Sequence, residues 1–396
     1  MTTLQSRTDQ FALTGLDGTN PLGFLAAVGT LVTLHDAGEG SARLGWRRGV
    51  TWTPVIEGTS VADADTLSEI VAHGLRGRDV PQDAEEQRAA AMERVNSAKK
   101  ALGRKEKEIR GRGLKGNARK EAIATEVDPL RTEYNRLRKV WLEALASAVP
   151  RAELALGKRI DCTSDEYRHH AATILGDAGL PDRSSINLLA AFGTDACVSP
   201  KGETIAPTWF QFITGSGHQF FLKTVRDLMG EVRPDRVNDT LFKPWSYPDE
   251  GLSMRWDPAE DRRYALMDRD PTASDNKPRT MWMANLLGYR ALELFTTAPR
   301  RRGPAVVGWS GVQGETTFTW PLWEFAVPPD VVRSLLTLPD LKADDSSVPG
   351  RGGRRRGPDR ATLRARGISA VFRARRVKVG SGANFKLNFS PGRAIA

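Results

Sequence analysis

The stretch NPLGFLAAVGTLVTLHDAG, from Asn20 to Gly38, predicts the core helix of this protein. Asn20 is a favoured N-cap residue, and Pro21 stands where the first turn of a helix has no hydrogen bond to lose. Apolar side chains between Leu22 and Leu34 surround nearly the whole helix instead of forming one stripe. We therefore expect a helix that is buried on most sides and ends at Gly38.

Strands and a second helix are predicted around this core helix. FALTGL (Phe11–Leu16) predicts a strand, and ARLGWRRGVTWTPV (42–55) predicts a β-hairpin because its apolar residues alternate around an Arg-Arg-Gly turn. A helix is expected over Ala62–Leu75. We assign residues 1–81 to an N-terminal α/β unit.

Residues 82–149 predict an antiparallel helical hairpin inserted into the chain. Seam positions step by three and four on both sides of the Gly-rich turn RGRGLKGN (110–117), as in a coiled coil. Asp128-Pro129 is expected to kink or restart the second helix. The predicted seam consists of Arg88, Ala91, Val95, Ala98, Leu102, Lys105 and Ile109 on one helix, and Ile123, Val127, Leu130, Tyr134, Leu137, Trp141 and Leu145 on the other.

The rest of the chain predicts a mixed α/β body at residues 150–340, a flexible Arg- and Gly-rich linker at 341–362 and a C-terminal β-hairpin at 363–396. The fold class is therefore α+β. Within the body we expect helices at 165–175, 219–229 and 281–295, a strand at 208–214 (TWFQFIT), and a strand pair from AVVGWSG (305–311) and TTFTWPLWEF (316–325).

The composition of the 396 residues is that of a globular protein, with 40% hydrophobic and 27% charged residues. The two cysteines, Cys162 and Cys197, are expected to be buried thiols in a reducing compartment. The first residues lack the layout of a signal peptide, and no run approaches the roughly 18 apolar residues that span a bilayer. We expect a cytoplasmic protein without a membrane partner.

The formal charge of +10 is unevenly distributed. Residues 350–396 hold thirteen basic residues and one acid, so residues 1–349 sum to −2. A second excess lies between Arg94 and Lys120, with eleven basic residues against Glu106 and Glu108. Two cationic segments on a nearly neutral body favour a polyanionic partner such as nucleic acid, although a charged helical hairpin can also be a solvated surface.

The loop TGSGHQ stands between a predicted strand and a predicted helix. Gly215, Ser216, Gly217 and His218 could offer backbone N–H groups to a phosphate of nucleic acid or of a nucleotide, or form a plain turn. The loop lacks the GK[ST] ending of a nucleotide-hydrolysing loop. We keep the four residues as candidate phosphate contacts.

Three acids in WDPAEDRR, namely Asp257, Glu260 and Asp261, could hold Mg²⁺ in a nuclease site. Arg262 and Arg263 stand close by, so we favour structural ion pairing. No histidine has metal-ligand spacing, and no nucleophile motif is present in the sequence. We therefore expect a protein that is not an enzyme and needs no cofactor.

Eight segments in order resemble the CRISPR-associated proteins of the type I-U (now I-G) systems, most closely the third member of the Csb series. The likeness covers about residues 10–80 and 185–380, and the hairpin at 82–148 has no counterpart in the family pattern. The segments are NPLGFLAAVGTLVTLHDAG, AAFGTDA, FITGSGHQFF, LFKPWSY, RWDPAEDRRYAL, ANLLGYRALELFTTAP, FTWPLWE and GISAVFRARR.

The resemblance implies a non-catalytic subunit of a guide-RNA surveillance complex in antiviral defence, in the large-subunit position. Its implied partners are the CRISPR guide RNA, target DNA, other effector subunits and a separate helicase-nuclease. The alternatives are a Mg²⁺-dependent nuclease and a protein-docking scaffold whose hairpin binds an acidic neighbour.

Basic residues at three places are our candidates for clamping phosphates. On the last strands, Arg373 and Arg375 share a face with Val371, whereas Phe372 and Ala374 share the other. The candidates are Lys99, Lys100, Arg104, Lys105, Lys107, Arg110, Arg112, Lys115 and Arg119 on the hairpin, Arg354, Arg355 and Arg356 in the linker, and Arg373, Arg375 and Arg376 on the last strands.

Overall fold

The structure, a computed structural model, has helices and antiparallel sheets, which confirms the α+β class. The chain divides into two compact units, Met1–Gly77 with Lys158–Ala396 (the body) and Arg78–Gly157 (the arm). No helix among the described residues is long and apolar enough to cross a membrane. The structure describes residues 10–176, 183–199, 202, 204–213, 219–260, 279–301, 303–312, 315–342, 360–379 and 386–396.

Helices and strands are numbered separately in chain order. The helices are α1 (Pro21–Asp36), α2 (Ala64–Arg76), α3 (Gln82–Gly111), α4 (Gly116–Ala122), α5 (Asp128–Ser147), α6 (Ser164–Gly176), α7 (Arg183–Phe192), α8 (Phe221–Gly230), α9 (Pro234–Phe242), α10 (Trp282–Ala291), α11 (Pro329–Leu336) and α12 (Arg360–Ala365). The strands are β1 (Gln10–Ala12), β2 (Arg43–Arg48), β3 (Trp52–Glu57), β4 (Asp249–Glu250), β5 (Arg279–Thr280), β6 (Thr297–Arg300), β7 (Gly303–Val306), β8 (Trp309–Val312), β9 (Glu315–Trp323), β10 (Ile368–Val379), β11 (Lys386–Phe389) and β12 (Arg393–Ala394).

Helix α1 is the buried helix that the sequence predicts. The side chain of Asn20 accepts hydrogen bonds from the N–H groups of Leu22 (2.9 Å) and Gly23 (3.4 Å), and every residue from Pro21 to Leu34 is buried. Helix α1 packs against α10 so closely that a Cβ atom on Gly29 would lie 1.8 Å from the carbonyl oxygen of Leu287. This packing joins residues 10–77 to residues of the predicted body in one unit.

A small antiparallel sheet of order β1-β3-β2 lies at the N-terminal end of the body. Strands β2 and β3 form the predicted hairpin, with Arg48 opposite Trp52 next to the turn. Strand β1 is shorter than the predicted Phe11–Leu16 because the chain turns after Ala12, where the N–H of Leu16 donates to the carbonyl of Leu13 (3.0 Å).

A larger antiparallel sheet has the order β11-β10-β9-β8, with β12 also paired to β10. The predicted pairs β8–β9 and β10–β11 are confirmed, except that Ala305 and Val306, predicted in the same strand as Trp309, belong to β7, which pairs with β6. Strand β10 pairs in addition with β9 from Ile368 to Arg375, so residues 363–396 complete the sheet of the body and are not a separate hairpin. The pairing satisfies the N–H and C=O groups along β9. On the inner face, the ring of Trp320 stacks on Phe318 and Phe372, with centroids 5.3 and 6.0 Å apart.

Residues 208–213, all buried except the half-buried Trp209, form no strand, so the prediction of a strand at 208–214 is wrong for the six of its residues that are described. The N–H of Gln211 donates to the carbonyl of Thr208 (3.1 Å), a local turn that replaces strand pairing. Phe210 lies in the aromatic core, with ring centroids 5.2 Å from Trp309 and 5.3 Å from Phe318. The apolar residues of this segment therefore fill the core.

The arm has the predicted pair of packed helices, α3 and α5. All fourteen predicted seam positions are buried or half-buried. A π-helical turn spans Ile123–Val127, and α5 restarts at Asp128 with Pro129 in its first turn, as predicted. The heptad pattern therefore places the opposite surface of α3 in solvent.

Candidate nucleic-acid interface

The two acids between Arg94 and Lys120 are both engaged in ion pairs. Glu106 pairs with Arg131 of α5 (3.0 Å). Glu108 pairs with Lys105 (2.9 Å) and with Arg112. A third acid, Glu126 in the π-helical turn, binds Arg112 (2.6 Å) and Lys105 (3.4 Å). These pairs join the two sides of the arm and neutralise Glu106, Glu108 and Glu126.

Two of the predicted phosphate contacts, Lys105 and Arg112, are therefore already neutralised. The hydrogen bond to Glu108 raises the pKa of Lys105, and the hydrogen bond to Glu126 raises the pKa of Arg112. In turn, these cations hold the pKa values of Glu108 and Glu126 below their ordinary value. The geometry makes both cations structural parts of the arm.

The other basic residues of this segment are exposed and, within the described residues, form no salt bridge. Lys100, Arg104 and Lys107 have i, i+4, i+7 spacing and lie on the side of α3 opposite the seam. These three residues span about 10 Å along the helix, which is about the length of three nucleotides along one strand of nucleic acid. We call the exposed set the arm stripe: Arg94, Lys99, Lys100, Arg104, Lys107, Arg110, Lys115, Arg119 and Lys120.

A pocket of about 210 Å³ lies beside the π-helical turn. Ile109, Ile123 and Val127 provide its apolar lining, and Arg110 and Arg119 of the arm stripe stand at its sides. Single π-helical turns are frequent at functional sites because they displace side chains from the regular helical positions. Glu106 and Arg131, which pair with each other, complete the lining, so the pocket combines an apolar surface with one ion pair and two further cations.

The larger sheet carries a second basic surface, which we call the sheet face. Arg373 lies directly opposite Arg393 of β12, and directly opposed residues of antiparallel strands point to the same side. Arg373 donates from Nε to Oγ1 of Thr319 (3.0 Å). Arg375 pairs with Glu315 (3.3 Å), but both side chains are 59% exposed, so this pair is weak. The predicted alternation is confirmed because Phe372 and Ala374 are buried on the other side.

Arg376 lies on the inner face, which separates it from the two arginines with which the sequence analysis grouped it. Its guanidinium stands over the ring of Phe212 (5.0 Å) and donates to the carbonyl of Gln211 (3.1 Å). Burial lowers the pKa of Arg376 to about 10. The period of two in a strand requires this inward position, since Ala374 also points inward.

Seven predicted contacts lie outside the described residues: Gly215, Ser216, Gly217 and His218 of the loop, and Arg354, Arg355 and Arg356 of the linker.

The acids of the nuclease alternative are buried. Asp257 accepts hydrogen bonds from Asn20 (3.0 Å) and Tyr247 (2.8 Å). Glu260 accepts from Ser253 (2.6 Å) and Thr280 (2.6 Å), and burial raises its pKa to about 7. Asp257 and Glu260 therefore accept hydrogen bonds from hydroxyl and amide groups, in addition to any ion pair that they form. Asp261 lies outside the described residues, and no cluster of three metal-ligating side chains occurs within them.

A groove in the body contains arginines that sequence reasoning missed. Arg48 of β2 and Arg360 and Arg364 of α12 line it together, around a volume of about 260 Å³. We call it the Arg48 groove. Arg48 lies about 310 positions before Arg360 and Arg364 in the sequence, so no local pattern indicates their convergence. The only signal was that α12 has basic residues at i, i+4 and no acid.

No known family model matches the sequence, and no curated protein is significantly similar to it.

Proposed function

We propose that this protein is a non-catalytic nucleic-acid-binding subunit that binds phosphate backbones with the arm stripe and the sheet face. The observation that carries the proposal is the neutralisation pattern of the arm. Glu106, Glu108 and Glu126 pair with Lys105, Arg112 and Arg131, whereas the cations of the arm stripe stay exposed and form no salt bridge within the described residues. Such cations bind phosphates by releasing the condensed counterions of the nucleic acid.

We further propose that the protein serves in a type I CRISPR surveillance complex, in the large-subunit position and in the cytoplasm. This step rests on the order of the sequence segments that resemble the type I-U/I-G proteins. Guide RNA and target DNA would be the polyanions, and base pairing would supply the specificity that backbone contacts lack. The other effector subunits and a separate helicase-nuclease would be its protein partners.

The test of nucleic-acid binding is a titration of the full chain with single-stranded and duplex oligonucleotides across a salt series. We expect log K to fall linearly with log salt concentration, with a slope of several units. Binding that is absent at low salt would overturn the proposal. Copurification with RNA, followed by sequencing, tests the CRISPR assignment: guide-repeat sequences support it, and unrelated RNA contradicts it.

A second candidate function is the docking of an acidic partner protein by the arm. The pocket beside the π-helical turn favours it, because an apolar lining flanked by Arg110 and Arg119 also suits an acidic peptide with one apolar anchor. Deleting residues 82–148 would then disrupt assembly with the partner subunits and leave nucleic-acid affinity unchanged.

A further inference from the structure

We propose that the Arg48 groove binds the phosphate backbone of a single nucleic-acid strand. The inference rests on the proposed function for the identity of its ligand, but it concerns residues that belong to neither the arm stripe nor the sheet face. It gives the body a phosphate site of its own.

Two separate elements, β2 and α12, bring three cations into the groove. Arg48 stands at the end of β2, beside the turn of the N-terminal hairpin. Arg360 and Arg364 come from α12, which packs on β10 through Leu363, Ile368 and Val371. The side chains are thus presented by packed elements, and a ligand would not need to order a loop to reach them.

The three arginines have no acidic partner within the described part of the chain. Arg360 and Arg364 are one helical turn apart, where like charges destabilise a helix. A nearby arginine, Arg366, pairs with Asp340 instead and does not line the groove. The groove therefore brings three unneutralised arginines together, and an anion would relieve their mutual repulsion.

Guanidinium groups and the size of the groove together favour a single strand. Guanidinium forks match the oxygens of a phosphate with two parallel hydrogen bonds. The groove volume of about 260 Å³ suits one nucleotide. The same volume does not admit the two paired strands of a duplex. Trp52 and Phe372 also line the groove, but both are largely buried, so the ligand contacts are to phosphate and not to stacked bases.

The test compares the full chain with the triple variant R48A/R360A/R364A, using a 12-nucleotide oligothymidine and a 12-base-pair duplex. For the single strand, we expect the negative slope of log K against log salt to become shallower by about two, because three phosphate contacts are lost and each contributes about 0.7. Single-strand affinity should fall about tenfold or more at 100 mM salt. Duplex affinity should change less than twofold.

The matched control is Arg47→Ala, which removes an exposed arginine from the same hairpin but outside the groove. It should leave the single-strand slope nearly unchanged. An unchanged melting temperature of the triple variant shows that folding is intact, and a triple lysine variant should restore the slope without restoring full affinity. Equal single-strand slopes for the wild type and the triple variant, or equal losses on both oligonucleotides, would overturn the inference. If the wild type binds neither oligonucleotide, the proposed function itself fails.

Discussion

The side-chain amide of Asn20 donates a hydrogen bond to the buried carboxylate of Asp257, 3.0 Å away and 237 residues along the chain. Tyr247 donates to the other carboxylate oxygen (2.8 Å). The three residues stand in the segments NPLGF, LFKPWSY and RWDP, which contribute to the resemblance. These three segments therefore meet at one contact of the fold, whereas the proposed function lies on the basic surfaces.

Replacing Asn20 with alanine should lower the free energy of unfolding by about 1–2 kcal/mol, because it removes the cap of α1 and a donor to Asp257. Urea denaturation followed by tryptophan fluorescence measures the change. The control is Asn238→Ala, which breaks an amide–carboxylate hydrogen bond of 2.9 Å to the exposed Asp65. Equal losses for the two variants would contradict the role of the buried contact.

The glycine at position 29 should be irreplaceable in the packing of α1 against α10. A methyl group there would meet the backbone carbonyl of Leu287, so Gly29→Ala should cost several kcal/mol or prevent folding. Gly230→Ala, at the end of α8 in the same unit, places its methyl group in open space and should be nearly neutral. Circular dichroism during thermal unfolding distinguishes the two. A Gly29→Ala protein with the wild-type melting temperature would refute the close crossing.

Stability should depend on pH through Glu260. Burial raises the pKa of its carboxyl from 4.5 to about 7, so between these pH values the folded protein holds a proton that the unfolded chain has lost. The free energy of unfolding should therefore fall as the pH rises from about 4.5 to about 7, by on the order of 3 kcal/mol. Glu260→Gln should abolish this part of the pH dependence, as measured by urea denaturation at several pH values. An identical pH profile for both proteins would show that Glu260 is not responsible.

Substitution of Arg373 should affect nucleic-acid binding, whereas substitution of Arg376 should affect the stability of the fold. Arg373→Ala removes a cation from the sheet face, so it should weaken salt-dependent binding and have little effect on folding. Arg376→Ala removes a buried contact with Phe212 and Gln211, so it should lower the free energy of unfolding by about 1–3 kcal/mol and leave the salt slope intact. The salt dependence of binding and the free energy of unfolding, measured for both variants, test these predictions. If Arg376→Ala changes the slope and Arg373→Ala does not, the assignment of the two faces is wrong.

Local periodicity predicted the parts of the fold that depend on neighbouring residues. Burial around α1, the seam of the arm and the alternation of Phe372 with Arg373 all follow from the geometry of a single element. Position in three dimensions decided the rest. Phe210 fills a core built by distant strands, and Arg48 meets Arg364 only because the two ends of the chain pack in one unit. The partners of Lys105 and Arg112 also depend on the π-helical turn, which places Glu126 beside them.

The most direct test of the central proposal is a comparison of two double variants that remove the same charges from the arm. K100Q/R104Q takes one lysine and one arginine from the arm stripe, and K105Q/R112Q takes one of each from the ion pairs with Glu108 and Glu126. With duplex DNA, we predict that the first variant makes the negative slope of log K against log salt shallower by about two. The second should leave the slope nearly unchanged. Equal slopes for the two variants would contradict the proposal that the unneutralised cations of the arm bind phosphates.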